Sequence, residues 1–281
     1  MRPAVVLITG CSSGFGFLTA LAFAASGFQV VATMRDISRS KELLEAAEAA
    51  ACDRLVVCKE LDITQYDQIT AVVRECEAEF GSIDVLVNNA GYALGGFAED
   101  VSIEKWSALL RTNVLGAIAM TQAVLPSMRS RRRGIIINVS SISGLMGMPG
   151  FAPYVSSKFA LEGFSESLRH ELYPWGIRVA LVEPGAYGTD IWRKGLSNMA
   201  GDGSSAYASQ LAQILEKTKK TAEHAADPRD VASAIVSIVR QGAPRLRYPL
   251  GRGIRMTLLI RAILPWRIYE TIVQWAIRRK P

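Results

Sequence analysis

The sequence predicts an α/β fold: a three-layer, doubly wound parallel sheet of about seven strands with a C-terminal helical extension. Three observations carry this reading. Short β-rich apolar runs alternate with helical patterns along the chain. Those runs are continuous rather than alternating, which marks strands buried on both faces. A glycine cluster closes the first run and opens the first helix.

The elements follow in order. "AVVLIT" (4–9) is the first strand, and a helix runs from Gly14 to about Ser26. "FQVVATM" (28–34) precedes the helical "SRSKELLEAAEAA", and "RLVVCKEL" (54–61) precedes "QYDQITAVVRECEAEF". "IDVLVNNA" (83–90) precedes a long helix from about Ser102 to Arg129. "GIIINVSS" (134–141) leads to a helix that starts near Pro153. "IRVALVEP" (177–184) and "YPLG" (248–251) complete the strands. One domain is expected over 1–251 and a basic amphipathic tail over 252–281. No internal repeat or low-complexity tract interrupts this order.

The bulk numbers fit such a domain. The chain has 281 residues, of which 49% are hydrophobic and 21% charged, enough for a sizeable core. Four cysteines (Cys11, Cys52, Cys58, Cys76) show no metal-ligand spacing, and with only His170 and His224 no metal site is called for. The apolar run at the N-terminus is too short for a signal peptide and reads as a strand, so a cytoplasmic protein is expected. The net charge is +6, but from residue 245 onward nine basic side chains face one acid, Glu270. The excess belongs to the tail, which argues against a nucleic-acid-binding body.

"TGCSSGFG", Thr9 to Gly16, spaces its glycines as Gly10, Gly14 and Gly16. A glycine turn into a helix N-terminus lets backbone N–H groups approach a phosphate, and no Gly-Lys-Ser/Thr follows to make a P-loop. The position favours a dinucleotide in a Rossmann-type sheet. The second strand ends "VVATMRD", with Met34 where an acid would bind a ribose 2′-hydroxyl and Arg35 next to it. That favours NADP(H) over NAD(H), with a further hydroxyl from Ser12; Asp36 keeps the NAD(H) alternative open.

"PYVSSKFALEG" (153–163) places Tyr154 and Lys158 one helical turn apart on one face. A cation there lowers a phenol's pKa below about 10 and makes it usable in proton transfer. Alternation along the preceding strand separates Ser140 from Ser141.

Taken together the motifs resemble the short-chain dehydrogenase/reductases. They run in order from Thr9-Gly10-x3-Gly14-x-Gly16 through Asp62, Asn88-Asn89-Ala90-Gly91, Asn113, Ser141 and Tyr154-x3-Lys158 to Pro184-Gly185-x3-Thr189. "GLMGMPGFAPYVSSKFALEG" and "VVATMRD" look most like the family's NADP-preferring steroid- and retinol-acting subgroup. The resemblance implies that Tyr154 is the general acid or base, that Lys158 holds its pKa down and binds the nicotinamide ribose, and that Ser141 bonds the substrate oxygen. It implies that Asn113 positions a relay water. It assigns the cofactor to Gly10, Ser12, Ser13, Gly14, Phe15, Gly16 and Arg35, to Asp62 and Ile63 near the adenine, to Asn89, Ala90 and Gly91, and to Pro184, Gly185, Tyr187 and Thr189 with Tyr154 and Lys158. Glu183 and His170 read as structural, and Cys11 as a small apolar filler.

The segment 186–227 corresponds to the family's substrate lid. Leu145, Met148 and Trp192, with Ser141 and Tyr154, are the expected substrate contacts, and their apolar character suits a steroid, retinoid or long-chain carbonyl or alcohol. The tail has no apolar stretch long enough to span a bilayer, because Arg261 and Arg267 interrupt it. Ile268, Ile272 and Trp275 share a face, so the tail can lie on a membrane, pack on the body or join subunits. The family implies a homodimer or homotetramer through the two helices carrying Asn113 and Tyr154. Two rival functions are a nucleotide sensor without turnover and a sugar-nucleotide epimerase.

Overall fold

The computed structural model describes residues 2–189 and 205–278. Seven strands form one all-parallel sheet: β1 (Val5–Thr9), β2 (Gln29–Met34), β3 (Val56–Glu60), β4 (Val85–Asn88), β5 (Gly134–Val139), β6 (Ile177–Pro184) and β7 (Arg247–Leu250). Their spatial order is β3-β2-β1-β4-β5-β6-β7. The order reverses between β1 and β4, which pair in register at Leu7 and Leu86. A crevice opens at the C-terminal ends of strands flanking such a reversal, and both the glycine loop and the Asn89 run leave their strands there.

The strands form because β-branched and aliphatic residues fill both faces. Every residue of β1 is buried, as is every residue of β4, whereas edge strand β3 is buried only at Val56. On one face α1 (Gly14–Ala25) and α2 (Ser40–Ala49) bury Ala20, Phe23, Leu43 and Ala47 with β-strand residues such as Val6 and Ile8. On the other, α3 (Tyr66–Phe80), α5 (Ala117–Ser130) and α6 (Ala152–Leu172) bury Ile69, Val73, Met120, Val124, Met128 and Leu168. This sandwiching is the three-layer arrangement expected from the continuous apolar runs.

One expected element is interrupted. The long helix over about Ser102–Arg129 divides into α4 (Ile103–Leu110), a π turn (Arg111–Gly116) and α5. Ser102 caps the start by accepting a hydrogen bond from the Lys105 N–H. The π turn falls where Asn113 must reach sideways to the Tyr92 backbone and Gly116 lies against Ile63. Packing of this kind overrides uniform helical propensity. The run 103–130 is apolar and long enough by composition to cross a membrane, yet Leu109, Met120, Val124 and Met128 on it are fully buried in the fold.

After β6 come α7 (Ala208–Glu223), α8 (Arg229–Arg240, packed against α1) and, beyond β7, two tail helices, α9 (Ile254–Ile263) and α10 (Trp266–Arg278). Residues 190–204, including Trp192, lie outside the described residues.

Candidate active site

The crevice is built from the C-terminal ends of β1 to β6. At β1, Gly10 turns the chain with φ of +73°, a conformation that disfavours any residue with a Cβ. A Cβ on Gly16 would collide with the Gly10 carbonyl and the Asn89 side chain. From β4, Asn89 Nδ2 donates to Thr9 O (2.8 Å) and Gly10 O (3.1 Å), while Thr9 Oγ1 accepts from the N–H groups of Asn89 and Ala90, each at 3.0 Å. The loop is thus held open by donors from the neighbouring strand, and Ser13 stands at the N-cap of α1.

Thr189 supplies a telling detail. Its Oγ1 is buried without a hydrogen-bond partner among the described residues, and its side chain packs across from Gly14. A buried hydroxyl left bare beside a glycine cradle and a helix N-terminus fits an anionic or amide-bearing ligand such as a dinucleotide. Tyr187 is buried and sets its ring edge-on to Phe15, 5.9 Å between centroids, closing the same end of the crevice.

At the adenosine side, Met34 is buried and cannot reach a ligand. Asp36 is spent locally: its Oδ1 accepts from Ser38 N (3.0 Å) and Ser38 Oγ (2.7 Å). Arg35 is exposed between them. Asp62 accepts from Thr64 N (2.9 Å) and Thr64 Oγ1 (2.8 Å), fixing the loop that carries Ile63.

The remaining groups converge from β5 and α6. Ser141 Oγ accepts from Ser143 N at 3.1 Å and points toward Tyr154, whereas Ser140 Oγ lies on the opposite side against Glu162. Lys158 Nζ sits 5.7 Å from the Tyr154 ring centroid and donates to Val139 O at 2.9 Å. Asn113 spends both amide hydrogens, on Tyr92 O (2.9 Å) and Ser157 Oγ (3.1 Å). Ser157 in turn donates to Tyr154 O, so Asn113 braces the first turn of α6.

The electrostatics correct one expectation. Lys158 does not bring the Tyr154 phenol below its ordinary value. Burial pushes the phenol up to about 12, with the Ser141 hydroxyl pulling the other way. Burial also brings Lys158 down to about 8, opposed by Glu162, and its N–H is directed at a carbonyl rather than at the phenol oxygen.

Beside the site, Met146, Met148, Pro149, Ile214, Tyr269 and Val273 line a cavity of about 260 Å³. It joins the loop after Ser141 to α7 and the tail helix α10. Leu145 is half-buried at the start of the same loop. The lining does not extend to Ser141 or Tyr154. Tyr269 and Val273 were not foreseen as pocket residues, because a sequence pattern does not say which body surface a tail helix meets.

Comparison with known proteins agrees with this geometry. Residues 4–200 match the short chain dehydrogenase family. An oxidoreductase of Bacillus subtilis (strain 168), YusZ, is 45% identical over 277 residues, 98% of either chain. A 3-ketodihydrosphingosine reductase of Bacteroides thetaiotaomicron is 36% identical, covering 99% of this chain and 98% of that protein. The 17-beta-hydroxysteroid dehydrogenase type 1 of Mus musculus is 39% identical over 88% of this chain and 74% of its own length. Among solved structures, a short-chain dehydrogenase from Streptomyces avermitilis superposes with a TM-score of 0.80 at 31% identity, covering 98% of this chain and 97% of that one. ElxO with NADP bound gives 0.72 at 27%, covering 88% and 97%. A short chain dehydrogenase/reductase from Burkholderia phymatum in complex with NAD gives 0.81 at 25%, covering 93% of each chain.

Proposed function

This chain belongs to the short-chain dehydrogenase family, and from that premise we propose that it uses NADP(H) to interconvert a hydrophobic ketone or aldehyde and its alcohol. The observation that carries the reading is the convergence of Ser141, Tyr154 and Lys158 beside a glycine cradle and the bare Thr189 hydroxyl.

Bound dinucleotide supplies the hydride chemistry; the chain supplies orientation and the proton. Gly10 to Gly16 and Thr189 hold the phosphate and nicotinamide ends, and Pro184 and Gly185 border the latter. Ser141 Oγ–H hydrogen-bonds the substrate oxygen, and Tyr154 donates its phenolic proton as negative charge grows there. With its pKa raised by burial, the phenol carries its proton at neutral pH and can donate it to the growing alkoxide. Lys158 offers an ammonium to the ribose hydroxyls and to the phenolate left after transfer. Asn113 keeps Tyr154 in place through Ser157.

We prefer NADP(H) because the residue that ends β2 is the buried Met34 rather than an acid, and the Asp36 carboxylate, though still ionised, is turned to Ser38. That leaves the exposed Arg35 for the phosphate. ElxO, solved with NADP, supports the choice; the Burkholderia protein, solved with NAD, shows the alternative on the same fold. The Met146–Pro149 cavity and the relatives named for sphingoid and steroid substrates favour a long apolar molecule.

For partners, we favour a homo-oligomer through the π turn with α5 and through α6: the exposed Leu115 lies in the π turn beside Asn113, and the exposed Phe159 lies on α6 with Tyr154. The tail is suited to an anionic bilayer surface. Met256, Leu259, Ile263 and Trp266 are more than half exposed beside Arg255 and Arg267, and Trp275 continues the apolar face. These features support a peripheral position on a membrane surface.

The test is a screen of 3-keto sphingoid bases, steroids, retinal and long-chain ketones with NADPH and NADH. Turnover with NADPH on one of these apolar carbonyls supports the reading. Binding of NADPH with no turnover on any of them would favour the sensor alternative.

A further inference from the structure

Lys158 is followed one turn along α6 by Glu162, and both are buried. Glu162 faces Glu183, the penultimate residue of β6, which is 0% exposed. A single guanidinium serves the two. Arg247 Nε, from β7, is 3.1 Å from Glu162 Oε2 and 3.6 Å from Glu183 Oε1. Its other arm is committed outward, 2.7 Å from Glu166 Oε2 at the surface.

The supply of donors then runs out. Glu162 Oε1 and both oxygens of Glu183 have no hydrogen-bond partner among the described residues. Ser140 Oγ is the one further donor near Glu162 and acts to lower its pKa, but no such hydroxyl reaches Glu183 among the described residues. Carboxyl oxygens can only accept when ionised, so two ionised groups cannot satisfy one another. Buried like charges in contact do not both stay charged; one proton between them provides the absent donor and removes the repulsion. Burial and the neighbouring carboxyl push Glu183 up to about 8, in the same sense.

The charges facing this cluster are few. From α6 come Lys158, Glu162 and Glu166, with the exposed His170 beyond; β6 gives Glu183 and β7 gives Arg247. Arg247 is shared between Glu166 at the rim and the buried pair, so three carboxyl groups face two cations, Arg247 and Lys158, and one proton on the buried pair brings the cluster to neutrality.

We propose that Glu162 and Glu183 share one proton, and that the pair, with a net charge of minus one, is the counter-ion that keeps Lys158 an ammonium. The two glutamates are positioning residues that act through Lys158. The consequence for turnover rests on the reading of Lys158 given above; the shared proton does not. Burial works against the Lys158 charge and Glu162 works for it, so removing the pair's charge must lower the pH at which that ammonium is lost.

The test uses the full chain. Infrared spectra of protein labelled with ¹³C at the glutamate carboxyls are taken from pH 6 to pH 8, and the pH dependence of kcat is measured alongside. A protonated carboxyl C=O stretch, sensitive to D₂O, is expected in the wild type at pH 7 and is expected to vanish in Glu183→Gln, where the amide supplies the donor. The alkaline limb of kcat is expected to keep its position in Glu183→Gln, because Glu162 then carries the charge. In the double variant Glu162→Gln/Glu183→Gln it is expected to move about one unit toward acid, a roughly tenfold loss at the wild-type midpoint. A wild type with no such band at pH 7 overturns the shared proton, whether or not the variants fold or any substrate is turned over. A double variant whose limb stays at the wild-type position overturns the counter-ion role.

Discussion

Tyr154 and its neighbours set the chemistry at the residue scale. With the phenol near 12 and Ser141 beside it, Tyr154→Phe removes the proton but leaves the crevice, so turnover should fall roughly 10²- to 10⁴-fold. Steady-state kinetics with NADPH would check this. Arg35→Ala should weaken NADPH binding about 10- to 100-fold, the scale of a lost charged hydrogen bond, with little change for NADH. Fluorescence titration with both cofactors separates the two. Glu183 also makes a stability prediction. Its folded value of about 8 stands above the ordinary 4.5, so the stabilisation from its protonated form is full below 4.5 and lost as pH rises through 8. The thermal midpoint of the wild type should therefore decline more between pH 5 and pH 8 than that of Glu183→Gln. The Tyr154–Lys158 pair was legible because a four-residue spacing on a helix is a local fact. The direction of the phenol's shift was not, since burial depends on what the whole fold places around the ring. Glu162 carried a signal in the same spacing, one turn beyond Lys158; Glu183 and Arg247 meet it only through the sheet.

At the scale of elements, the glycine loop is a tight backbone junction in the crevice. Gly16→Ala would drive a Cβ into the Gly10 carbonyl and the Asn89 amide, which are hydrogen-bonded to each other, the amide also donating to Thr9 O. Overpacking of this kind costs about 1–3 kcal/mol, and dinucleotide affinity should fall with it. A matched pair of measurements, chemical denaturation and NADPH titration, checks both effects. The strands were legible from continuous apolar runs, and β6 matches its predicted bounds at Ile177–Pro184. The π turn at Asn113 was not, because the 103–130 sequence keeps a helical period through it. What bends the helix is the Tyr92 backbone and Ile63, more than 20 and 50 residues away respectively.

For the whole molecule, the sheet order places β1 and β4 side by side, and the assigned groups approach the crevice from strand ends, from α6 and, for Asn113, from the π turn. The tail adds a surface as well as a wall. On α10, Tyr269 and Val273 line the cavity while Ile268, Ile272 and Trp275 face outward. Trp266→Ser with Trp275→Ser should therefore reduce sedimentation with vesicles containing anionic lipid while leaving the NADPH affinity unchanged; equal binding by the variant would refute a role for this face. The central claim is a protonated phenol acting on a carbonyl beside bound dinucleotide. The most direct test combines NADPH binding with single-turnover reduction of a responsive apolar carbonyl in wild type and Tyr154→Phe. The account predicts similar NADPH affinity for the two and loss of the chemical step in the variant. Undiminished single-turnover reduction by Tyr154→Phe, or a wild type that binds no dinucleotide, would contradict it.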